Sequence, residues 1–187
     1  MIRAPMPSPI GHALAGIAVS WTVAPRAGRR LTLAAAGLGA LADIDLVLPV
    51  QHRTVTHSVG AVIAATIIAA VVTSRVTRLP AGRVVLVCAA AYASHLLLDW
   101  LGVDHYFPYG LTVLWPFSDR FYISGWDVFR QTARQHLFTW SSLIVNVQAI
   151  AQEVALLGPI VWALWLVRVK ALARFAPEKS RRDHPAQ

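Results

Sequence analysis

The chain has 187 residues, 17 Lys and Arg against 9 Asp and Glu, 56% hydrophobic residues and only 14% charged ones. A water-soluble domain carries about a quarter charged residues, so this composition, with a mean hydropathy of +0.54, excludes an ordinary soluble globule. The single cysteine, Cys88 in the apolar run VVLVCAAAYA, excludes an intramolecular disulfide framework and a cysteine-rich zinc site. Any metal must then be held by histidines and carboxylates. The net charge of +8 falls in short arginine groups beside apolar runs, which reads as membrane topology rather than nucleic-acid binding.

Five apolar stretches come near the roughly 20 residues that a helix needs to cross a bilayer core. They run from Ser8 to Ala24, Leu31 to Pro49, Ser58 to Ser74, Arg83 to Gly102, and from a start between Leu143 and Val154 to about Val169. The first is too polar for a signal-peptide core and is expected to stay in the mature protein. Its small residues, Gly11 and Gly16 among them, suit close helix packing. The runs are too long and too continuously apolar for barrel strands. The fold class predicted is therefore all-α, a polytopic transmembrane bundle of about five spans. It forms one integral-membrane domain over residues 1–175, followed by a basic tail, 176–187, expected to be disordered.

Positive charge sets the orientation, because Lys and Arg are retained on the cytoplasmic side. Arg26, Arg29 and Arg30, then Arg75, Arg78 and Arg83, then Arg168, Lys170, Arg174, Lys179, Arg181 and Arg182 place twelve charges inside against five outside. The carboxyl terminus is thus expected in the cytoplasm. Between the fourth and fifth spans lies an aromatic-rich segment of about 40 residues, beginning DHYFPYG. It reads either as an interfacial loop with an amphipathic helix from Trp126 to Trp140 or as a lid over what the spans enclose.

Ionisable side chains inside membrane spans are costly and mark functional sites by default. His12 lies in the first span and Asp43 and Asp45 near the end of the second. His52, Arg53 and His57 follow in the short second loop, and His95 and Asp99 lie in the fourth span. With the orientation above, all fall at or near the outer ends of their spans. His95 and Asp99 are four apart, one helical turn on one face, so an imidazole and a carboxylate can share one ion. Asp43 and Asp45 are two apart and point to opposite sides of a regular helix. Both can be ligands only after a local break, which Pro49 makes plausible; otherwise one holds an imidazole in its ligating tautomer. Thr54, Thr56 and Ser58 are natural helix caps. Arg53 beside a helix start suits an anion, with headgroup contact as its plainer reading. Imidazole and carboxylate without thiolate favour zinc over iron or manganese.

These residues also carry a family likeness. G-H-A, L-A-D-I-D-L-V-L-P, H-R-T-V-T-H-S, S-H-L-L-L-D-W-L and Y-G-L-T-V-L-W-P-F-S, in order over residues 10 to 120, closely resemble the membrane-bound metal-dependent hydrolases, the YdjM-like inner-membrane proteins. That family is in turn distantly similar to zinc phospholipase C and its related nucleases. The resemblance implies His12, Asp43 or Asp45, His57, His95 and Asp99 as ligands, with Asp99 as a bridge. It also implies hydrolysis of a phosphoester. Two features differ from the soluble enzymes: Met1 lies well upstream of His12, and no H-x-x-x-E pair is present. A site of one or two divalent ions, most simply zinc, is therefore expected. His105, His136 and Glu153 could substitute for the missing pair, with an interfacial or helix-surface place as their plainer reading.

With the ligand set His12, Asp43, Asp45, His52, His57, His95 and Asp99, the expected enzyme is a metal-dependent hydrolase of the inner membrane. Asp43 or Asp45 would orient or deprotonate the water, and Arg53 would hold a phosphoryl oxygen. Its partners would be membrane lipids and a lipid-linked or membrane-proximal substrate at the extracytoplasmic face, with no nucleic acid. The alternative is a non-catalytic proton-coupled carrier or metal-handling protein built on the same cluster. A zinc protease lacks its H-E-x-x-H here, and Ser58 reads as a cap rather than a nucleophile.

Overall fold

The computed structural model describes residues 7–46, 51–105, 107–133, 136 and 138–173. Within them the chain forms α1 (Pro9–Val23), α2 (Arg29–Leu41), α3 (Val59–Ser74), α4 (Ala81–Trp100) and α5 (Trp140–Ala173), with short 3-10 turns at Ala42–Leu46 and Val55–His57. No named strand occurs among the described residues. The fold is all-helical. Of these helices, α4 and the Trp140–Lys170 part of α5 are long and apolar enough to cross a membrane, while α1 and α3 are apolar but shorter. The tail 176–187 and Pro49 lie outside the described residues.

Local chemistry sets the helix ends. Ser8 caps α1, its hydroxyl accepting the Gly11 N–H, and Pro9 occupies the first turn, where no amide is needed. Ser58 caps α3 by accepting from Ala61 N and donating to Val55 O. Both functions of its hydroxyl are used, as the capping reading requires. The regular part of α2 stops at Leu41, well short of the expected Pro49, because the chain tightens into the Ala42–Leu46 turn. That turn is the break that Asp43 and Asp45 require. Helix α5 begins at Trp140, ahead of the predicted start between Leu143 and Val154. Thr139 caps it through Ser142 N, a polar start that an apolar-run criterion passes over.

The amphipathic helix expected from Trp126 to Trp140 is absent among the described residues. Residues 126–133 run irregularly instead and bond to their surroundings as a strand would. Val103 N donates to Phe129 O and Val128 N to Leu101 O. The side chains of α5 supply the rest: Gln152 bonds Arg130 N and Val128 O, and Asn146 bonds Ala133 N and O. These side-chain amides satisfy backbone groups that helix formation would have satisfied internally.

Helix α1 is central, packed on α2, α4 and α5, while α3 packs on α4. Two glycines let α1 and α2 touch by backbone. A Cβ on Gly16 would lie 2.2 Å from the Ala35 carbonyl oxygen, and one on Gly39 would lie 2.3 Å from that of His12. The apolar core, with Leu31, Ala35, Val84, Cys88, Ala91 and Leu111, fills the space between α2, α4 and the segment after α4. Because α1 starts, α2 ends, α3 starts and α4 ends at the same end of the bundle, His12, Asp43, His57 and Asp99 meet there. Arg26, Arg75 and Arg78 in the connections, with Arg29, Arg30 and Arg83 in the adjoining first turns of α2 and α4, lie at the opposite end.

Candidate metal centre

The last two turns of α4 carry His95 and Asp99, and the other elements bring their polar side chains to them. His12, His57 and His95 are fully buried, with Asp45 and Asp99 each 2% exposed. The His57 and His95 Nε2 atoms lie 3.1 Å apart. Asp99 Oδ2 lies 3.2 Å from the first and 3.0 Å from the second. These three atoms form a nearly equilateral triangle. Ligands about 2.0–2.1 Å from a tetrahedral zinc stand about 3.3 Å apart, so the triangle has the dimensions of one face of a coordination shell. The other carboxylate oxygen, Asp99 Oδ1, lies 3.2 Å from His12 Nε2, and the His12 ring stacks on His95 with centroids 3.7 Å apart.

Hydrogen bonding on the far side of each ring decides which nitrogen faces this triangle with a lone pair. His95 Nδ1 lies 2.7 Å from the Gly39 carbonyl oxygen. A carbonyl only accepts, so Nδ1 holds the proton and Nε2 of the neutral ring is the lone-pair nitrogen. His57 Nδ1 faces Asp45 Oδ2 at 3.2 Å and the Thr56 hydroxyl at 2.9 Å, which makes its Nε2 the lone-pair nitrogen too. Two imidazole lone pairs and a carboxylate oxygen therefore point at one another in a buried space, an arrangement that calls for a cation among them. Neither Asp99 oxygen, nor either His12 nitrogen, makes a hydrogen bond among the described residues. The donor set fits a divalent metal on these grounds, independently of any family likeness. Burial opposes charge on His57, but Asp45 and Asp99 outweigh it and raise its pKa from 6.5 to about 9.

Asp43 and Asp45 are distinguished by what they touch. Asp45 accepts from Thr56 Oγ1 at 2.6 Å and Arg53 N at 3.3 Å, and its Oδ1 lies 2.7 Å from His52 Nδ1. It holds both loop histidines from behind. Asp43 is buried too, and one of its oxygens lies within 4.8 Å of the ligating atoms of His57 and His95. The ligating atoms fall into three such groups: His12 with His95 and Asp99, Asp43 with His57 and His95, and Asp45 with His52 and His57. All seven residues predicted as ligands are thus brought into one connected cluster.

Other predicted residues fall elsewhere. The Arg53 guanidinium forms an ion pair with Asp104, which also accepts from Gly110 N. Arg53 itself has a positive φ of 66°, a strained conformation for this residue. His105 and His136 are exposed. Glu153, expected on a helix surface, is instead fully buried against Ser8. Asp104 and the Gly39 carbonyl went unnoticed in the sequence, since neither a lone loop carboxylate nor a backbone oxygen carries a pattern. Above the cluster, the aromatic-rich segment bonds directly to the loop that bears His57: Thr112 N donates to Arg53 O, Val59 N to Val113 O and Gly60 N to Trp115 O.

A family model described as YdjM inner membrane protein matches residues 6–175. No curated protein and no solved structure matches the chain.

Proposed function

This chain belongs to the YdjM inner membrane protein family, and we propose that it is a metal-dependent hydrolase of that membrane whose His/Asp cluster binds one or two zinc-like ions and cleaves a phosphoester. The observation that carries the reading is the triangle of His57 Nε2, His95 Nε2 and Asp99 Oδ2, closed by second-atom contacts that turn both imidazole lone pairs inward. His57, His95 and Asp99 would hold the first ion, and His12 on the other Asp99 oxygen would contribute to a second. A divalent ion held there would lower the pKa of a bound water towards neutrality and polarise the ester oxygen.

The chain's own residues do the rest. Asp43, buried beside His57 and His95, receives the proton of the attacking water at a carboxylate oxygen. Asp45 holds the Nδ1 proton of His57 and so keeps the Nε2 lone pair on the ligand side. Arg53 gives its cation to Asp104, and its carbonyl takes Thr112 N–H. Both contacts draw the aromatic-rich segment over the cluster as a lid that excludes water. The bundle lies in the membrane, with α4 and α5 long enough to cross it, the cluster towards the extracytoplasmic face and the basic carboxyl terminus inside. A cluster at that depth suits a lipid-linked or membrane-proximal substrate.

The test is hydrolysis by the purified, zinc-reconstituted protein in lipid-containing micelles, with phospholipid and prenyl phosphoesters as substrates. Phosphate or alcohol release that a chelator abolishes, that zinc restores, and that Asp43→Asn lowers by about 100-fold or more through loss of its general base is the expected result. Metal-loaded protein inert on every phosphoester would remove the hydrolase reading and leave a metal-handling one.

A further inference from the structure

Glu153 is the buried charge to which the metal centre gives no task. It stands in the first half of α5, in the run VQAIAQEVALLG, and is 0% exposed. A carboxylate in such a place is costly unless polar groups meet it, and those it meets belong to the first turn of α1. Oε1 accepts the Ser8 backbone N–H at 2.6 Å, and Oε2 accepts the Ser8 hydroxyl, which in turn accepts Gly11 N–H at 3.2 Å. The fit is close. A Cβ on Gly11 would lie 2.6 Å from Glu153 Oε2 and 2.9 Å from its Cδ, so only glycine leaves the carboxylate its place.

The next residue is His12. Its N–H bonds Ser8 O at 3.1 Å, so its backbone belongs to the same capped turn. His57 and His95 each have a second nitrogen fixed by Asp45 or by the Gly39 carbonyl. His12 has no side-chain hydrogen bond among the described residues. Its ring is placed by its stack on His95, by the 3.2 Å approach of Nε2 to Asp99 Oδ1 and by the position of its own backbone. That backbone is pressed from one side by Gly39 and fixed from the other by the Glu153–Ser8 contact.

We propose that Glu153 is the positioning residue for His12: by holding the capped first turn of α1 it sets His12 Nε2 against Asp99, and it ties α5 to the metal centre. The inference rests on the metal-centre reading above. It is tested by titrating the detergent-purified full chain with cobalt(II) and recording the visible absorption band, for wild type, Glu153→Gln, Glu153→Leu and Gly11→Ala.

The expected result is that Glu153→Leu and Gly11→Ala each weaken cobalt binding by about 10–100-fold, the usual cost of losing an outer contact to a ligand, and alter the band. Glu153→Gln, which keeps the shape and one acceptor, should retain most of both. The double variant Gly11→Ala/Glu153→Leu should be no worse than either single one, since both break one contact. Gly11→Ala keeps the test alive if Glu153→Leu does not fold. Wild type that binds cobalt, together with variants of unchanged affinity and band, would overturn this inference alone. Wild type that binds none would remove the metal centre itself and this inference with it.

Discussion

At the scale of single residues, His57 and His95 are each held through the nitrogen that faces away from the Nε2–Oδ2 triangle. Gly39 O takes the Nδ1 proton of His95, and Asp45 takes that of His57. Asp45→Asn should therefore weaken zinc binding by about 10–100-fold without removing a ligand, measured by competition with a chromophoric chelator. The His57 proton gives a second prediction. With a folded-state pKa of about 9 against 6.5 for the free group, the metal-free protein gains stability from this proton below pH 6.5 and loses it as pH rises through 9. Its apparent Tm should fall over that window. Zinc-loaded protein, in which the ion has displaced the proton, should show no such fall, and zinc affinity should drop as pH is lowered.

At the scale of elements, the glycines of α1 and α2 decide how near His12 and His95 can come. Gly39 has two tasks. Its missing side chain admits the His12 carbonyl, and its own carbonyl orients His95. Gly39→Ala would need room 2.3 Å from a backbone oxygen and should cost about 1–3 kcal/mol by overpacking, read as a lowered Tm together with lost metal.

The sequence exposed some of this plainly. H-x-x-x-D on one helix face predicted the His95 and Asp99 pair, and the meeting of His12, Asp43 and His57 at one end of the bundle followed from span order. The Asp43/Asp45 choice was not legible, because it depends on a 3-10 turn that bends the chain after Leu41. Nor was the burial of Glu153 legible, since its partners are the backbone and hydroxyl of Ser8, 145 residues away. The segment after α4 misled for a related reason. Its aromatic content suggested an interfacial loop with a helix from Trp126 to Trp140, but its backbone groups are satisfied by Gln152 and Asn146 of α5, a tertiary cause that no local pattern records.

At the scale of the molecule, the two ends of the bundle differ in kind. One gathers His12, Asp43, Asp45, His57, His95 and Asp99 under a hydrogen-bonded cover. At the other lie Arg26, Arg29, Arg30, Arg75, Arg78 and Arg83, and Arg168 of α5 bonds the carbonyls of Pro25 and Ala27. Such polarity suits an inner-membrane protein with its chemistry on one face and its positive charge on the other. Everything functional in this reading depends on an ion at the first end. The most direct measurement is the zinc content of the detergent-purified, zinc-reconstituted chain beside His95→Ala and Asp99→Ala. One or two ions per chain in wild type, with both variants depleted yet still helical, is the predicted result. Wild type holding no more zinc than the variants would contradict it and return the buried histidines and aspartates to a proton-relay or structural role.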